Sequence, residues 1–542
     1  MTGLFFAEEN WRGQKAWENC KRDLKTQGRK VNWADYIPAP VPDEENVFGV
    51  LEMQRWFKGG NAAAWTDLTR KLPAPSFPGV EVDRHTKRML VAEVRIGLPG
   101  KPIPADFVVL RWDDPAWPAE AARLITNALG STARTPQSRI GVGLMLRRPE
   151  DLQAAQIFLL CETAPTLKML QAFLPDTIVN ANAGLPESVL KFEPDGRDAY
   201  RVTMPVLGRV ADYLAWSDGL EPQFAVIRQA LQRPHSRMQG FYGNPNTVPG
   251  PNFRPVRNLI QTLGARAECH LLLGQPEAAL NDVTLIHDFC RIFDENEPTT
   301  LLKAMVNVAV RGLYAAQIAE GLRLQAWREP QLAVLEAQLN HINVVLPVAQ
   351  AFELEAVAAF HTLESVPSAG FVKKSVWSGL CPRGWGYQRI VKRVNLDFGR
   401  IASLAAANQV IFTGQVEAAD RKSQALDHWS PYAFAAHLTP VDFTRACQNT
   451  AHAQTEINQA LLACALERYH LAHGEYPPIL DALIPQFLIR IPHDVIGGRA
   501  PIYSRATGGT YMLYSIGWKG IDHGGVRGKS SPNLDGDWVW PD

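Results

Sequence analysis

The chain has 542 residues, of which 46% are hydrophobic and 20% are charged. A chain of this size and balance predicts a globular protein of about two to four domains and argues against long disordered segments. Its 55 Lys and Arg residues equal its 55 Asp and Glu residues, so no net field attracts nucleic acid or an anionic membrane surface. We therefore expect no nucleic-acid partner.

The apolar runs and the cysteines predict neither a membrane span nor a zinc site. The best candidate for a span, LLKAMVNVAVRGLYAAQIAEGL, is broken by Lys303, Arg311 and Glu320. The seven cysteines are odd in number and show no CxxC spacing. We therefore expect single buried thiols instead of a disulfide framework or structural zinc.

An amphipathic helix is predicted near the start of the chain, from about Glu8 to Gln27. Trp11, Trp17 and Leu24 supply its apolar stripe, which predicts that this side packs on the protein. Gly28 is a typical residue to end such a helix.

A proline-rich stretch, VNWADYIPAPVPDEEN, follows and completes a first division at residues 1–79. Its prolines at 38, 40 and 42 prevent a helix and predict an extended arm or tether. The apolar residues 4–7 ahead of the helix allow two interpretations. They are either the last turn of an anchor helix that precedes this sequence, or a short apolar end that docks on the protein.

Residues 80–205 are predicted to form an α+β region, because the apolar period changes to two. RMLVAEVRIGL and DFVVLRW flank the turn-forming PGKPIPA, and SVLKFE and AYRVTM flank PDGRD, so we predict two hairpins. RIGVGLML adds a further strand. Helical pieces, PAEAARLITNAL and PEDLQAAQIFLL, are expected between the strands.

Residues 206–440 are predicted to form a helical domain. A helical hairpin begins at VRNLIQTLGARAECHLLLG, with Gly274 closing its first helix and Pro276 opening its second. This pair resembles one tetratricopeptide-type unit, without a visible second copy. Further helices are expected around 298–322, 328–341 and 345–364, and VPSAGFVKKSVWSGLCPRGWGYQR is predicted to be an ordered loop.

Residues 441–542 are predicted to form a C-terminal domain of one long helix and a small antiparallel sheet. The helix TEINQALLACALERYHLAHG has a wide apolar face and ends at Gly474. A short helix in YPPILDALIP follows, and the strands PIYSR and TYMLYSIG flank the turn residues ATGG. The tail WKGIDHGGVRGKSSPNLDGDWVWPD is rich in loop-forming residues.

The order of LERYHLAHGEYP, LDALIP, IPHDVIGGRAPIYS and YSIGWKGIDHGG resembles the C-terminal part of type II secretion major pseudopilins. The resemblance covers roughly the last 100 residues, about one domain. EENWRG, ADYIPAPVPDEEN and GDWVWP make the whole chain resemble a group of uncharacterised bacterial envelope proteins with an N-terminal anchor. These resemblances imply the periplasm or cell envelope, protein partners there, and a membrane tether that lies outside this sequence. The amphipathic helix follows about 440 other residues, so fibre formation as in a pilin is not expected.

The resemblance also implies a calcium site in the late loop, because carboxylates and carbonyls hold calcium there in major pseudopilins. Lys519 stands where the family places an aspartate. Asp522, Asp535 and Asp537 remain close enough in sequence to form an oxygen site. The alternative interpretation is a solvated acidic tail without a cofactor.

Two further sets of residues are candidates for function. Glu268 with His270, His287 with Asp288, and the pair His470 and His473 are considered as catalytic or metal groups, and packing is the simpler explanation of each. Trp538 and Trp540 are predicted to form a protein interface, because the end of a chain rarely carries two large aromatic residues unless it is tied down.

The combined prediction is a predominantly helical α+β protein that works as a non-enzymatic scaffold or assembly protein of the cell envelope. Its pseudopilin-like module is expected to bind partners. Two alternatives stay open: a hydrolase acting on envelope or extracellular polymers, and a structural subunit of a larger complex. The sequence shows no G-x-S-x-G, Walker-type or G-x-G-x-x-G motif, although dispersed catalytic groups leave no such signature.

Overall fold

The computed structural model describes residues 2–58, 65, 93–97, 108–110, 141–145, 156–160, 191–194, 199–203, 213–294, 300–365, 382–425, 430, 442–506, 509–528 and 535–540. The fold is predominantly helical α+β, as predicted. Its α-helices are α1 (Thr2–Thr26), α2 (Leu51–Phe57), α3 (Glu221–Ala230), α4 (Phe253–Leu272), α5 (Pro276–Cys290), α6 (Leu301–Arg323), α7 (Glu329–Leu339), α8 (Val345–Ser365), α9 (Arg383–Ile401), α10 (Thr413–Gln424) and α11 (Phe443–His473).

The strands form three sheets within the described residues. They are β1 (Glu93–Gly97), β2 (Val108–Leu110), β3 (Gly141–Met145), β4 (Gln156–Leu160), β5 (Lys191–Pro194), β6 (Ala199–Thr203), β7 (Leu404–Ala405), β8 (Val410–Ile411), β9 (Ile502–Ala506), β10 (Thr510–Ser515) and β11 (Trp538–Val539). The first sheet has the order β2-β3-β4-β1-β6-β5, with β1 and β4 parallel and its other neighbouring pairs antiparallel. β7 pairs with β8, and the third sheet has the order β11-β10-β9.

Helix α1 begins earlier than predicted and buries only part of the predicted stripe. Trp17 and Leu24 share a core with Phe360 of α8 and Ile390 of α9. Trp11 is 60% exposed, so its assignment to the apolar stripe is wrong. At about 100° per residue, positions 17 and 24 lie about 20° apart around a helix, whereas positions 11 and 17 lie about 120° apart.

Helices α1 and α9 cross at two glycines, Gly13 of α1 and Gly384 of α9. A Cβ at Gly384 would lie 2.5 Å from the Glu9 carbonyl carbon and 2.8 Å from Asn10 Cα, so only glycine allows this approach. The Asn10 side chain accepts a hydrogen bond from Gly384 N (2.9 Å), and Glu9 Oε2 accepts one from Trp385 Nε1 (2.9 Å). The stretch RGWGYQR is therefore the start of α9, which packs on EENWRG of α1, and its prediction as loop is wrong. The earlier part of that predicted loop, residues 366–381, lies outside the described residues.

The proline-rich arm lies along the body as an ordered strap. It contains three 3-10 turns, Trp33–Tyr36, Asp43–Glu45 and Val47–Gly49. The buried Trp33 donates its indole N–H to the carbonyl of Tyr242 (2.8 Å), and Val47 N donates to the carbonyl of His235 (2.6 Å). These contacts connect α1 to α2 by a segment that packs on the protein.

Two sequence predictions between residues 80 and 205 are wrong. The hairpin around PGKPIPA does not form, because β1 pairs with β4 and β6 whereas β2 pairs with β3. QIFLL, predicted as the end of a helical piece, is strand β4, since a short apolar run suits either structure and pairing on both sides decides for the strand. The hairpin around PDGRD is confirmed by the pairing of β5 with β6. The helical piece PAEAARLITNAL lies outside the described residues.

The helical hairpin predicted at α4 and α5 is confirmed. Gly274 follows α4 with a φ of +70°, a conformation that glycine adopts without strain, and Pro276 opens α5. Leu263 of α4 and Ile286 of α5 are both fully buried in the main core.

One hydrophobic core connects the body to the C-terminal segment. It contains Phe48 of the strap, Ile286 of α5, Ile318 of α6, Leu462 of α11 and Trp538 of β11. In the part of the chain that the structure describes, no helix combines the length and apolar character needed to cross a bilayer. The single buried thiols are confirmed for the described cysteines, which are Cys20, Cys269, Cys290, Cys447 and Cys464.

Candidate functional site in the C-terminal module

The C-terminal module, residues 442–540, contains the predicted calcium ligands and the predicted interface tryptophans. Its long helix, Phe443–His473, is capped at its start by Asp442, whose side chain accepts a hydrogen bond from Arg445 N (2.9 Å), and at its end by Gly474. The predicted short helix is a 3-10 turn at Leu480–Leu483, and the hairpin of β9 and β10 is confirmed. Strand β11, from the tail, adds to the free side of β10.

An arginine near the end of α11 ties the module to α7 of the body. Arg468 Nη1 lies 2.7 Å from Glu336 Oε2, and its Nη2 lies 2.8 Å from Glu329 Oε1. Burial raises the pKa of Glu336 although Arg468 opposes the shift. Arg468 therefore stabilises the charged form of the Glu336 carboxylate. The two ion pairs also fix the position of α11 against α7 of the body.

The segment IPHDVIGG docks on the β7–β8 hairpin. Ile411 N donates to the carbonyl of Val495 (2.9 Å), which places this segment alongside β8 in parallel. His493 Nε2 lies 2.5 Å from the carbonyl oxygen of Asn408, and Asn458 Nδ2 donates to the carbonyl of His493 (3.3 Å). The module is therefore joined to the body through backbone pairing as well as through α11.

Asp494 is a buried polar centre that the sequence prediction missed. Its carboxylate accepts hydrogen bonds from Ile496 N (2.9 Å), the Ser515 hydroxyl (2.8 Å) and Ile516 N (3.3 Å). Burial raises the pKa of Asp494, and these hydrogen bonds oppose the shift. The sequence signal was an aspartate two residues ahead of an apolar residue and a glycine pair, which is typical of a side chain that caps a turn.

Lys519 lies next to an acidic side chain of the body. Its Nζ lies 3.7 Å from Glu417 Oε1 of α10, which also accepts a hydrogen bond from the indole N–H of Trp518 (3.1 Å). Trp518 and Lys519 therefore form another contact between the module and the body.

The three predicted calcium ligands have different surroundings. Asp537 is fully buried and accepts hydrogen bonds from the backbone N–H groups of His523 and Gly525. Asp522 Oδ1 accepts hydrogen bonds from the Tyr514 hydroxyl (3.1 Å) and from Gly524 N (2.8 Å). Asp535 is exposed to solvent.

These residues do not fit a calcium site. Ca²⁺ needs about six to eight oxygen ligands that turn towards one point. Here hydrogen-bond donors of the protein already engage Asp537 Oδ2 and Asp522 Oδ1, and Lys519, three residues before Asp522, carries a positive charge. Among the described residues, no group of three or more His, Cys, Asp or Glu side chains is arranged to hold a metal ion.

The two predicted interface tryptophans pack against other residues of the module. Trp538 is 2% exposed, its ring contacts that of His452 (centroids 5.1 Å apart), and its carbonyl accepts a hydrogen bond from Gln459 Nε2 (2.7 Å). Trp540 is half-buried, and its N donates to the carbonyl of Leu513 (2.9 Å). The structure uses both residues to tie down the end of the chain. Their role in an interface with another protein stays a prediction.

The histidine pair of α11 is used for ring stacking. The His473 ring stacks on Tyr469 with centroids 4.0 Å apart, and its Nδ1 lies 2.9 Å from the carbonyl of the same residue. The His470 ring stacks on Tyr476 with centroids 4.6 Å apart. These contacts support the packing interpretation of the pair.

Met512 on β10 and Ile521 and Val526 on the loop that follows it are exposed apolar residues, and we call these three residues the outer patch. Their side chains are 38%, 59% and 61% exposed. Gly525 brings the loop onto the strand, since a Cβ there would lie 2.5 Å from Met512 Sδ and 3.4 Å from Tyr514 Cε1. The loop and the strand therefore form one surface.

Comparisons with protein-family models, with curated proteins and with solved structures find no match to this chain.

Proposed function

We propose that the chain is a non-enzymatic scaffold or assembly protein of the bacterial cell envelope, and that its C-terminal module binds a protein partner. The outer patch is the observation that carries this proposal. Three apolar side chains are exposed on β10 and the loop that follows it, and exposed apolar clusters are characteristic of contact sites for other proteins. The pseudopilin resemblance of the same module supports the envelope and the periplasm as its location.

The attachment of the module supports the same function. Arg468, the segment at residues 493–498, and Glu417 with Trp518 join the module to three separate elements of the body. A force or an orientation set at the outer patch is therefore transmitted to the helical body. This coupling suits a scaffold that holds a partner at a fixed position relative to the rest of the chain.

The proposal is tested by substituting the outer patch. The variant with Met512→Ser, Ile521→Ser and Val526→Ser keeps the core intact, because all three side chains are partly or largely exposed. Tagged wild-type and variant chains are purified from native membranes, and co-purifying proteins are quantified by mass spectrometry. We expect an envelope protein in fixed ratio with the wild type and its loss from the variant.

Leu302→Ser is the matched control, because Leu302 is 72% exposed but belongs to the start of α6. It should leave the partner bound. Equal recovery of the same proteins with the wild type and the patch variant would contradict the proposal. A fixed ratio among several proteins would identify the chain as a structural subunit of a larger complex, the third interpretation of the sequence.

A hydrolase is the second candidate function, and a buried cluster between α4 and α5 favours it. Asp282 Oδ2 lies 3.3 Å from Arg266 Nε and 3.7 Å from His270 Nε2. Burial raises the pKa of Asp282 to about 7, against the effect of Arg266, and burial lowers the pKa of His270. A buried carboxyl group whose pKa is raised, next to a histidine, is typical of acid–base catalysis.

The same cluster has a structural explanation. Arg266 also donates to the Ser217 hydroxyl (2.8 Å) and to Asp218 Oδ1 (2.8 Å), so it connects the residues before α3 to the helical hairpin. Hydrolysis of envelope polysaccharide or peptide by the purified chain, abolished in Asp282→Asn without loss of folding, would establish the hydrolase. If neither the wild type nor Asp282→Asn hydrolyses these polymers, the scaffold function is the one supported.

A further inference from the structure

The late loop, residues 521–528, folds around one carboxylate. Asp537 Oδ2 accepts hydrogen bonds from the backbone N–H groups of His523 (3.0 Å) and Gly525 (2.8 Å). The backbone N–H of Asp537 donates to the carbonyl of Val526 (3.0 Å). One residue therefore closes the loop with both its side chain and its backbone.

The polarity of this arrangement suits an anion at the centre of the loop. A buried carboxylate is unfavourable unless N–H or cationic groups satisfy it, and hydrogen bonds from backbone N–H groups to a charged oxygen are strong. The His523 ring adds a further polar neighbour, with its Nδ1 3.5 Å from Asp537 Oδ1. The two N–H groups of His523 and Gly525 engage both lone pairs of Asp537 Oδ2, so a calcium ion could use that oxygen only by displacing them.

Asp522 and Lys519, on either side of the start of the loop, also have partners within the protein. Asp522 Oδ1 accepts a hydrogen bond from the Tyr514 hydroxyl, which joins the loop to β10, and one from the N–H of Gly524, which lies within the loop. Lys519 lies against Glu417 of α10. Groups of the protein thus pair with Asp522 and Lys519, whereas Asp535 is exposed to solvent.

We infer that the Asp537 carboxylate organises the late loop in the place of a bound calcium ion, so that the folded module needs no divalent cation. The outer patch lies on this loop through Ile521 and Val526, and its shape therefore depends on Asp537. The inference concerns the folding of the module and stands or falls independently of the partner.

The direct test compares the full chain with calcium and without it. Thermal unfolding and the rate of tryptic cleavage after the exposed Arg527 are measured in excess CaCl₂ and after treatment with EGTA, and calcium binding is titrated by calorimetry. We expect the same melting temperature, the same cleavage rate and no heat of specific binding. A lower melting temperature or faster cleavage in EGTA that calcium reverses would overturn the inference.

A substitution tests the carboxylate itself. Asp537→Asn keeps the size of the side chain but removes the charge, and we expect a melting temperature several degrees lower and faster cleavage after Arg527. Asp535→Asn is the matched control, because Asp535 lies two residues away and is exposed; it should behave like the wild type. Wild-type behaviour of Asp537→Asn would overturn the inference, and the calcium comparison decides it even if that variant does not fold.

Discussion

Alanine at Gly384 is predicted to separate α1 from α9. The new Cβ would lie 2.5 Å from the Glu9 carbonyl carbon and 2.8 Å from Asn10 Cα, whereas carbon atoms in contact lie about 3.5–4.0 Å apart. Both obstructing atoms belong to backbone, so no side chain can rotate away. The two helices must therefore move apart by about 1 Å at their crossing.

The expected loss of stability follows from this displacement. Overpacking costs about 1–3 kcal/mol, and the hydrogen bonds from Gly384 N to Asn10 and from Trp385 Nε1 to Glu9 lengthen, for about 1 kcal/mol more. Replacing glycine within a helix returns up to about 1 kcal/mol. The net change in the free energy of unfolding is a loss of about 1–3 kcal/mol.

Gly386→Ala is the matched control on the same helix, because no atom lies within 4 Å of the position that its Cβ would occupy. It should leave the free energy of unfolding unchanged or raise it by up to about 1 kcal/mol. Urea unfolding followed by tryptophan fluorescence measures both variants. If the two alanine variants change stability equally, the close approach of α1 and α9 is refuted.

Three further predictions test the core, the attachment of α11 and a buried acid. Trp538→Ala should lower the free energy of unfolding by about 3–5 kcal/mol in urea, because the ring is 2% exposed; a loss below about 1 kcal/mol would contradict its burial. Arg468→Met should cost about 1–2 kcal/mol, since it leaves Glu336 without its partner, and an unchanged urea midpoint would contradict the ion pair. The pKa of Asp282 rises to about 7 on folding, so its stabilising effect is complete below about pH 4 and is lost as the pH rises to about 7. Asp282→Asn should flatten that part of the stability–pH curve, and an unchanged slope would be the contrary result.

Local signals in the sequence predicted several elements correctly because those elements depend on residues close together in the chain. Gly274 and Pro276 mark the turn between α4 and α5, and Gly474 marks the end of α11. The hairpin of β9 and β10 follows from alternating residues around a glycine-rich turn. In each case, the turn chemistry and the apolar period give the same answer.

The wrong predictions concern contacts between distant parts of the chain. RGWGYQR has two glycines and suggests a loop, but its helix is completed by α1, about 370 residues earlier, through the bond from Gly384 to Asn10. Strand β4 became a strand because β1 and β3 lie on both sides of it. Local propensity does not contain these partners.

The candidate site shows the same limit. Asp522, Asp535 and Asp537 are close in sequence, which suggested one oxygen site, but the direction of each side chain depends on the loop and on β10. Asp494 was missed because its three hydrogen-bond donors come partly from β10 and the residue after it, about 20 residues later. Spacing alone predicts that residues are near one another and does not predict which way their polar atoms point.

The most direct test of the proposed partner contact is site-specific photo-cross-linking in intact cells. A photoreactive amino acid is placed at Ile521 in the outer patch, with the same amino acid at Leu302 as the control, because both side chains are well exposed. If the outer patch binds a partner, we expect a cross-link from position 521 to one envelope protein and none to that protein from position 302. Identical cross-linking patterns at the two positions, or none at position 521, would contradict the scaffold function.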